Sequence, residues 1–171
     1  MRRASLTIHK EELAFSAGHF TIFSATEREA LHGHNYYVSV SFNIRIQHHG
    51  LSFDYRYYKK KLIALCEQLD RHFLLPTQSP HLKLEEEGDY WMATFNHRRL
   101  PFLKEDVVLL PLTNITIEEL ANWFLRGLTV DLAELSLHCI DGVQVDVYNG
   151  PGQSSGAQWS SCHPERSEGS P

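Results

Sequence analysis

Nowhere in its 171 residues does the chain have the roughly 20 consecutive apolar residues that a helix needs to cross a bilayer. Met1 to Phe15 carries Arg2 and Arg3 with no continuous apolar segment behind them, so it does not read as a secretory signal. Cysteine is scarce: Cys66, Cys139 and Cys162 are odd in number and lack a Cys-x-x-Cys spacing. That pattern argues against a disulfide framework and for a reducing, cytoplasmic setting. Positive charge is also short, with 16 Lys and Arg against 21 Asp and Glu. A net charge of -5 speaks against nucleic acid as partner, which needs a basic face. The densest basic run, Lys59-Lys60-Lys61, reads as a solvated helix face. No repeat on the scale of a solenoid is visible.

What is present is an ordinary globular composition, 42% hydrophobic and 22% charged, in a chain long enough for one domain with a real core. Histidine, at 11 residues, is the unusual count and directs attention to metal chemistry. From Leu13 to His19 the odd positions are apolar, which puts His19 on the face of Leu13, Phe15 and Ala17. In a second strand Tyr36, Val38, Val40, Phe42, Ile44 and Ile46 share one face and polar residues the other, the pattern of a half-buried antiparallel strand. From Phe53 the period lengthens: Tyr55, Tyr58, Leu62, Leu65, Cys66 and Leu69 form the stripe of an amphipathic helix, capped by Ser52 or Asp54.

A second helix starts at Thr116-Ile117-Glu118-Glu119, a capping box with Thr116 as cap and Glu119 reaching back. Residues 82–110 read as an inserted hairpin turning at Gly88-Asp89, followed by an apolar run from Asp106 to Leu110. Val143, Val145 and Val147 mark a late strand whose inward register continues to Asn149. The expected architecture is α+β: an antiparallel sheet with two helices packed on one face and an inserted hairpin. Residues 1–153 are expected to form the domain. Residues 154–171, rich in Gly, Ser, Pro and charge, are expected to be a disordered tail.

The period of the second strand, carried backwards, brings His32 and His34 onto its inward face, and a turn of about a dozen residues separates them from His19. Three imidazoles converging in this way suit a catalytic zinc site, which keeps its fourth position for water or substrate. Spacing alone leaves a second reading open, one satisfied core histidine and two others in a polar turn.

The segments "FSAGHF…LHGHNYYVSV", "GLSFDY", "LDRHFLL", "PLTNITIEELANWF" and "VDVYNGPGQSS" occur in the order found in the 6-pyruvoyl-tetrahydropterin synthase family. That family includes bacterial 6-carboxytetrahydropterin synthases of queuosine biosynthesis, and the chain resembles it over roughly residues 6 to 156. The resemblance implies the tunnelling fold (T-fold) and a homo-oligomer, hexamer or tetramer, with active sites at subunit interfaces. It also implies zinc on His19, His32 and His34, and a small-molecule pterin substrate, 7,8-dihydroneopterin triphosphate. The zinc would act as a Lewis acid while protein bases move protons. Such a lyase eliminates triphosphate or cleaves the side chain, on the way to tetrahydrobiopterin or queuosine.

Several positions depart from the family pattern. Its catalytic cysteine stands four residues before the first histidine of His-Gly-His, and here that residue is Arg28. Glu29, beside it, resembles a branch in which glutamate replaces the cysteine and 6-hydroxymethyl-dihydropterin, a folate precursor, is made. A solvated turn residue is the plainer reading of Glu29. The family's Leu-Asp-His becomes Leu69-Asp70-Arg71-His72: Asp70 matches, and His72 takes the histidine's role or the relay is broken. The pterin-anchoring glutamate is replaced by Asn149, which lacks the charge, while Thr116 and Glu118 match a Thr-x-Glu segment. Asp54 matches a further family element and is equally a cap. Together these departures leave a non-catalytic zinc-binding paralogue as the alternative.

Overall fold

A computed structural model describes residues 2–47 and 49–161. Its first strands, β1 (Arg2–His19) and β2 (His32–Ile46), form a long antiparallel pair in which His19 faces His32 and Ala17 faces His34. The alternation works as the sequence suggests: Leu13, Phe15, Ala17 and His19 are buried, as are Tyr36, Val38, Val40, Phe42 and Ile44. A bulge makes this possible. Between the pairs His9–Ser39 and Ala14–Tyr37, residues 10–13 of β1 oppose only Val38 of β2. Those three surplus residues, an odd number, reverse the parity of β1, so that Ile8 and Leu13 both point inward. His19 therefore reaches the strand end on the buried face.

Helix α1 (Arg56–Leu69) buries Tyr58, Leu62, Cys66 and Leu69 against the sheet. Its expected start is corrected in two respects. Tyr55 is exposed, and it holds the cap position without a side-chain bond. Asp54 instead accepts from the Arg56 N–H at 3.0 Å and grips its guanidinium, while Ser52 donates to the His138 carbonyl. After the helix, Arg71 adopts a left-handed φ of 61° and its N–H bonds to the Ser16 carbonyl at 2.7 Å. That turn starts β3 (His72–Pro76), which runs parallel to β1.

The insertion is a three-stranded meander rather than a hairpin: β4 (Lys83–Glu87), β5 (Tyr90–Phe95) and β6 (Arg98–Leu103). Asn96 and His97, both left-handed, make the tight β5–β6 turn, the geometry that matches strand twist. The meander buries Leu82, Ala93 and Phe95 against Phe20, Ile22 and Leu75, a satellite core separate from the main one. The apolar run then rejoins the main sheet as β7 (Val107–Leu110), parallel to β3.

Helix α2 (Ile117–Leu128) has the expected cap, with the Glu119 N–H donating to Thr116 Oγ1 at 3.3 Å. The Glu119 carboxylate does not reach back, however, and accepts from the Thr113 hydroxyl instead. A short α3 (Leu132–Leu137), capped by Asp131, leads into β8 (Ile140–Tyr148). The main sheet has the order β7-β3-β1-β2-β8-β9, with α1 and α2 sharing the core under its inner face.

The last of these strands, β9 (Ser154–Ser160), corrects the expected boundary at residue 153. Ser155, Ala157 and Trp159 alternate inward, and Trp159 packs on the main core, so polar composition hid a period-two edge strand. Gly156 leaves room for the Asp146 carboxylate, which would lie 2.4 Å from a Cβ there and would have to turn away. The remaining part of the expected tail, 162–171, lies outside the described residues.

Glu134 of α3 fastens that helix to α1, accepting from Lys61 at 2.7 Å and from the Tyr57 hydroxyl. Burial works to raise its carboxyl, but these donors outweigh burial and hold it below the usual value. The folded chain thus binds this proton more weakly than the unfolded one. The stabilisation is present above the unfolded value of about 4.3 and is lost as pH falls through the folded one. Glu134→Gln should cost about 1–2 kcal/mol in denaturant unfolding at pH 7, with the gap from wild type closing below about pH 4.

Candidate functional site

The ends of β1 and β2 bring three imidazoles together, with the ligand atoms of His19, His32 and His34 all within 4.8 Å of one another. His19 is 5% exposed, and its Nδ1 lies 2.9 Å from the Ile115 carbonyl. A carbonyl accepts only from N–H, so the proton sits on Nδ1 and the lone pair on Nε2. That Nε2 is buried and has no partner among the described residues. His32 is fixed in the same sense by its Nδ1 against the Ala30 carbonyl at 2.9 Å. His32 Nε2 and His34 Nε2 are 3.0 Å apart. Two nitrogens bound at zinc distances to one tetrahedral ion lie about 3.3–3.4 Å apart, so this spacing is close to that of a shared ligand set.

Electrostatics favour the same use. Burial lowers the pKa of His19 against the pull of the Ile115 carbonyl, with repulsion from His32 and His34 adding to the effect. Burial, then His32, lowers that of His34. Both rings are therefore kept in the neutral, ligating form. Backbone carbonyls behind two of the three rings fix tautomer and orientation, as outer partners do in metal sites. An orphaned buried nitrogen and an all-imidazole donor set fit zinc with an open fourth position. The inward register holds for His32 and His34, but they run past the core: His34 is half-buried and His32 is exposed to a cleft.

That cleft, of about 480 Å³, is lined by the three histidines and by Glu29, Tyr36, Thr116, Glu118 and Asn149, among others. Glu29 Oε2 stands 3.9 Å from His32 Nε2 and accepts from the Thr21 N–H at 2.9 Å. Burial opposes ionisation of Glu29, but the bonds from Thr21 and the neighbouring histidines outweigh it and hold the carboxyl below its usual value. The Tyr36 hydroxyl is pushed the other way by burial and then by Glu29, so it stays protonated. Asn149 Oδ1 is a buried acceptor with no partner among the described residues. Thr116 has a double position, as the cap of α2 and in the cleft wall, and Glu118 follows in the first turn.

Seven of the nine residues singled out from sequence thus meet in one cleft. Asp70 and His72 do not. His72 lines a different cleft with Gly18, Gly33 and Asn35, and among the described residues the two clefts share only His34. Asp70 accepts from the Ser16 N–H at 2.8 Å beside a third recess. Sequence reasoning placed Tyr36 in the core, although its register with His34 was the signal that it also lines the site. Thr21 and the Ile115 carbonyl carried no signal, since their roles depend on a loop and a backbone group far apart in sequence. No described cysteine lines the cleft, and burial pushes the Cys66 thiol up to about 12.

Metal analysis of the protein refolded with zinc should find about one ion per chain. Replacing any one of His19, His32 or His34 by Ala should cost more affinity than the about 10–100-fold typical of losing an outer partner.

Residues 7–156 match the family model of 6-pyruvoyl tetrahydropterin synthase. A candidate 6-carboxy-5,6,7,8-tetrahydropterin synthase of Methanocaldococcus jannaschii is 28% identical over 144 residues, 84% of this chain and 88% of that protein. The crystal structure of 6-pyruvoyl tetrahydropterin synthase from Plasmodium vivax has a TM-score of 0.89 and 31% identity, covering 94% of this chain and 99% of its own. Variants of the P. vivax protein in which a catalytic glutamate is replaced by alanine or cysteine align as well, with TM-scores of 0.88 and 0.89. The Plasmodium falciparum 6-pyruvoyl tetrahydropterin synthase follows at a TM-score of 0.88 and 27% identity, covering 92% of this chain and 98% of its own. With the α+β T-fold of these neighbours and the match over most of its length, the chain belongs to the 6-pyruvoyl tetrahydropterin synthase family.

Proposed function

We propose that the protein is a zinc-dependent lyase of pterin biosynthesis that acts on 7,8-dihydroneopterin triphosphate, with Glu29 as its proton-transferring base. The observation that carries this reading is the Glu29 carboxylate, 3.9 Å from His32 Nε2 at the rim of the three-histidine cluster. When bound by His19, His32 and His34, zinc would supply Lewis acidity toward the substrate's side-chain oxygens. Glu29, held ionised by Thr21, takes a proton from the side chain, the step a base at this place can perform without thiolate chemistry. Glu118 and the unpaired Asn149 Oδ1 offer acceptors to the N–H edge of the pterin ring, with Glu118 providing the charge that Asn149 lacks. Thr116 adds a hydroxyl to the same wall.

Asp70 and His72 enter this scheme only through assembly. Their separation from the histidine cleft within one chain is what an interface active site requires, with a second copy presenting them in a tetramer or hexamer.

The product favoured is 6-hydroxymethyl-7,8-dihydropterin, formed by side-chain cleavage and used for folate, ahead of the 6-pyruvoyl or 6-carboxy products. The cleft holds a glutamate and no described cysteine, and the P. vivax relative has a catalytic glutamate.

Zinc-loaded protein incubated with dihydroneopterin triphosphate should yield the 6-hydroxymethyl product by mass spectrometry. Glu29→Gln should reduce turnover by about 10²–10⁴-fold while zinc content stays unchanged. A zinc-loaded protein that leaves the substrate intact would mark the chain as a non-catalytic paralogue.

A further inference from the structure

Arg28 stands where the family resemblance places a cysteine, and its surroundings give it a different task. Ile22 and Arg28 form an isolated bridge that closes the loop between β1 and β2. From there the half-buried guanidinium lies over two rings of the satellite core, 4.9 Å from the centre of the Phe20 ring and 5.8 Å from that of Phe95. Both distances are within cation–π range. Phe20 is 1% exposed and Phe95 5%, so the cation is gripped by rigid, buried rings, one of them on the inserted meander. One guanidinium N–H donates to the Glu29 carbonyl at 2.5 Å. Among the described residues Arg28 forms no ion pair, so neutralising a carboxylate is not its function.

Glu29 is thereby held at every polar group it has near the loop. Its N–H donates to the Thr21 carbonyl at 2.9 Å, its carboxylate accepts from the Thr21 N–H, and its carbonyl accepts from Arg28. The neighbouring Ile22 is fixed in turn by Asn114, whose amide bonds to both its N–H and its carbonyl. Asn114 precedes Ile115, the residue that orients His19. Loop, insertion and metal centre are therefore one connected body.

We propose that Arg28 is a positioning residue: clamped between Phe20 and Phe95, it fixes the Glu29 backbone and so the placement of the Glu29 carboxylate over the three-histidine cluster. The proposal rests on Glu29 being the base. Rotation of the Glu29 peptide would swing its carboxylate away from His32, and a misplacement of about 1 Å can cost about 100-fold in rate. The β4–β6 insertion then tunes the reaction through Phe95, although it contributes no group to the cleft.

The test compares Arg28→Leu, Arg28→Lys, Phe95→Leu and Glu29→Gln in the zinc-loaded full chain. Arg28→Leu should lower kcat about 10–100-fold with KM within about twofold and zinc content unchanged. Hydrogen exchange in residues 21–30 should rise while that of β2 stays as in wild type. Arg28→Lys, which keeps the cation and a donor, should recover part of kcat, and Phe95→Leu should fall between. Wild-type kcat with unchanged exchange in Arg28→Leu would overturn the clamp, and so would parallel loss of zinc, KM and overall stability. If Glu29→Gln retains turnover, it is the base assignment that fails, and the exchange data still decide whether Arg28 holds the loop.

Discussion

The hydrogen bond between His19 Nδ1 and the Ile115 carbonyl is the contact on which the site depends. It joins the end of β1 to the segment that enters α2, and it decides which nitrogen of His19 is left bare. Because that nitrogen is buried without a partner among the described residues, the fold accepts a desolvation cost that a ligand would relieve. Remove the carbonyl and the ring is free to turn, the proton can move to Nε2, and the convergence with His32 and His34 is lost. The same segment carries Asn114, Thr116 and Glu118, so one stretch of chain orients His19, braces the loop and lines the cleft.

Two features outside the cleft bring that contact into being. The bulge in β1 reverses strand parity, without which the inward run ending at His19 would face solvent if the first half of the strand kept its register. The insertion adds a second core beneath the loop of Glu29, giving a short irregular segment a rigid support. A side chain carried on a loop is held more precisely when the loop rests on packed elements of this kind.

Much of this was legible in the chain itself. The period-two runs of β1 and β2, the stripes of α1 and α2, and the Thr116 cap follow from local chemistry, and the structure keeps them. The three histidines were legible for the same reason, since strand register is a local property. What was hidden depends on distant or backbone groups: the Ile115 carbonyl, Thr21, and the left-handed Arg71 that starts β3. Ser154–Ser160 was hidden differently. Its composition is that of a tail, and it is ordered by pairing with β8 and by the packing of Trp159. Asp70 and His72 were assigned by motif alone, and a single chain keeps them apart from the cluster.

Zinc K-edge X-ray absorption on the zinc-loaded protein tests the central claim most directly, that three imidazole nitrogens at the β1–β2 end form one metal centre. The account predicts three histidine nitrogens at about 2.0–2.1 Å and one oxygen donor in the fourth position. A sulfur shell at about 2.3 Å, or a single histidine in an otherwise oxygen environment, would contradict it.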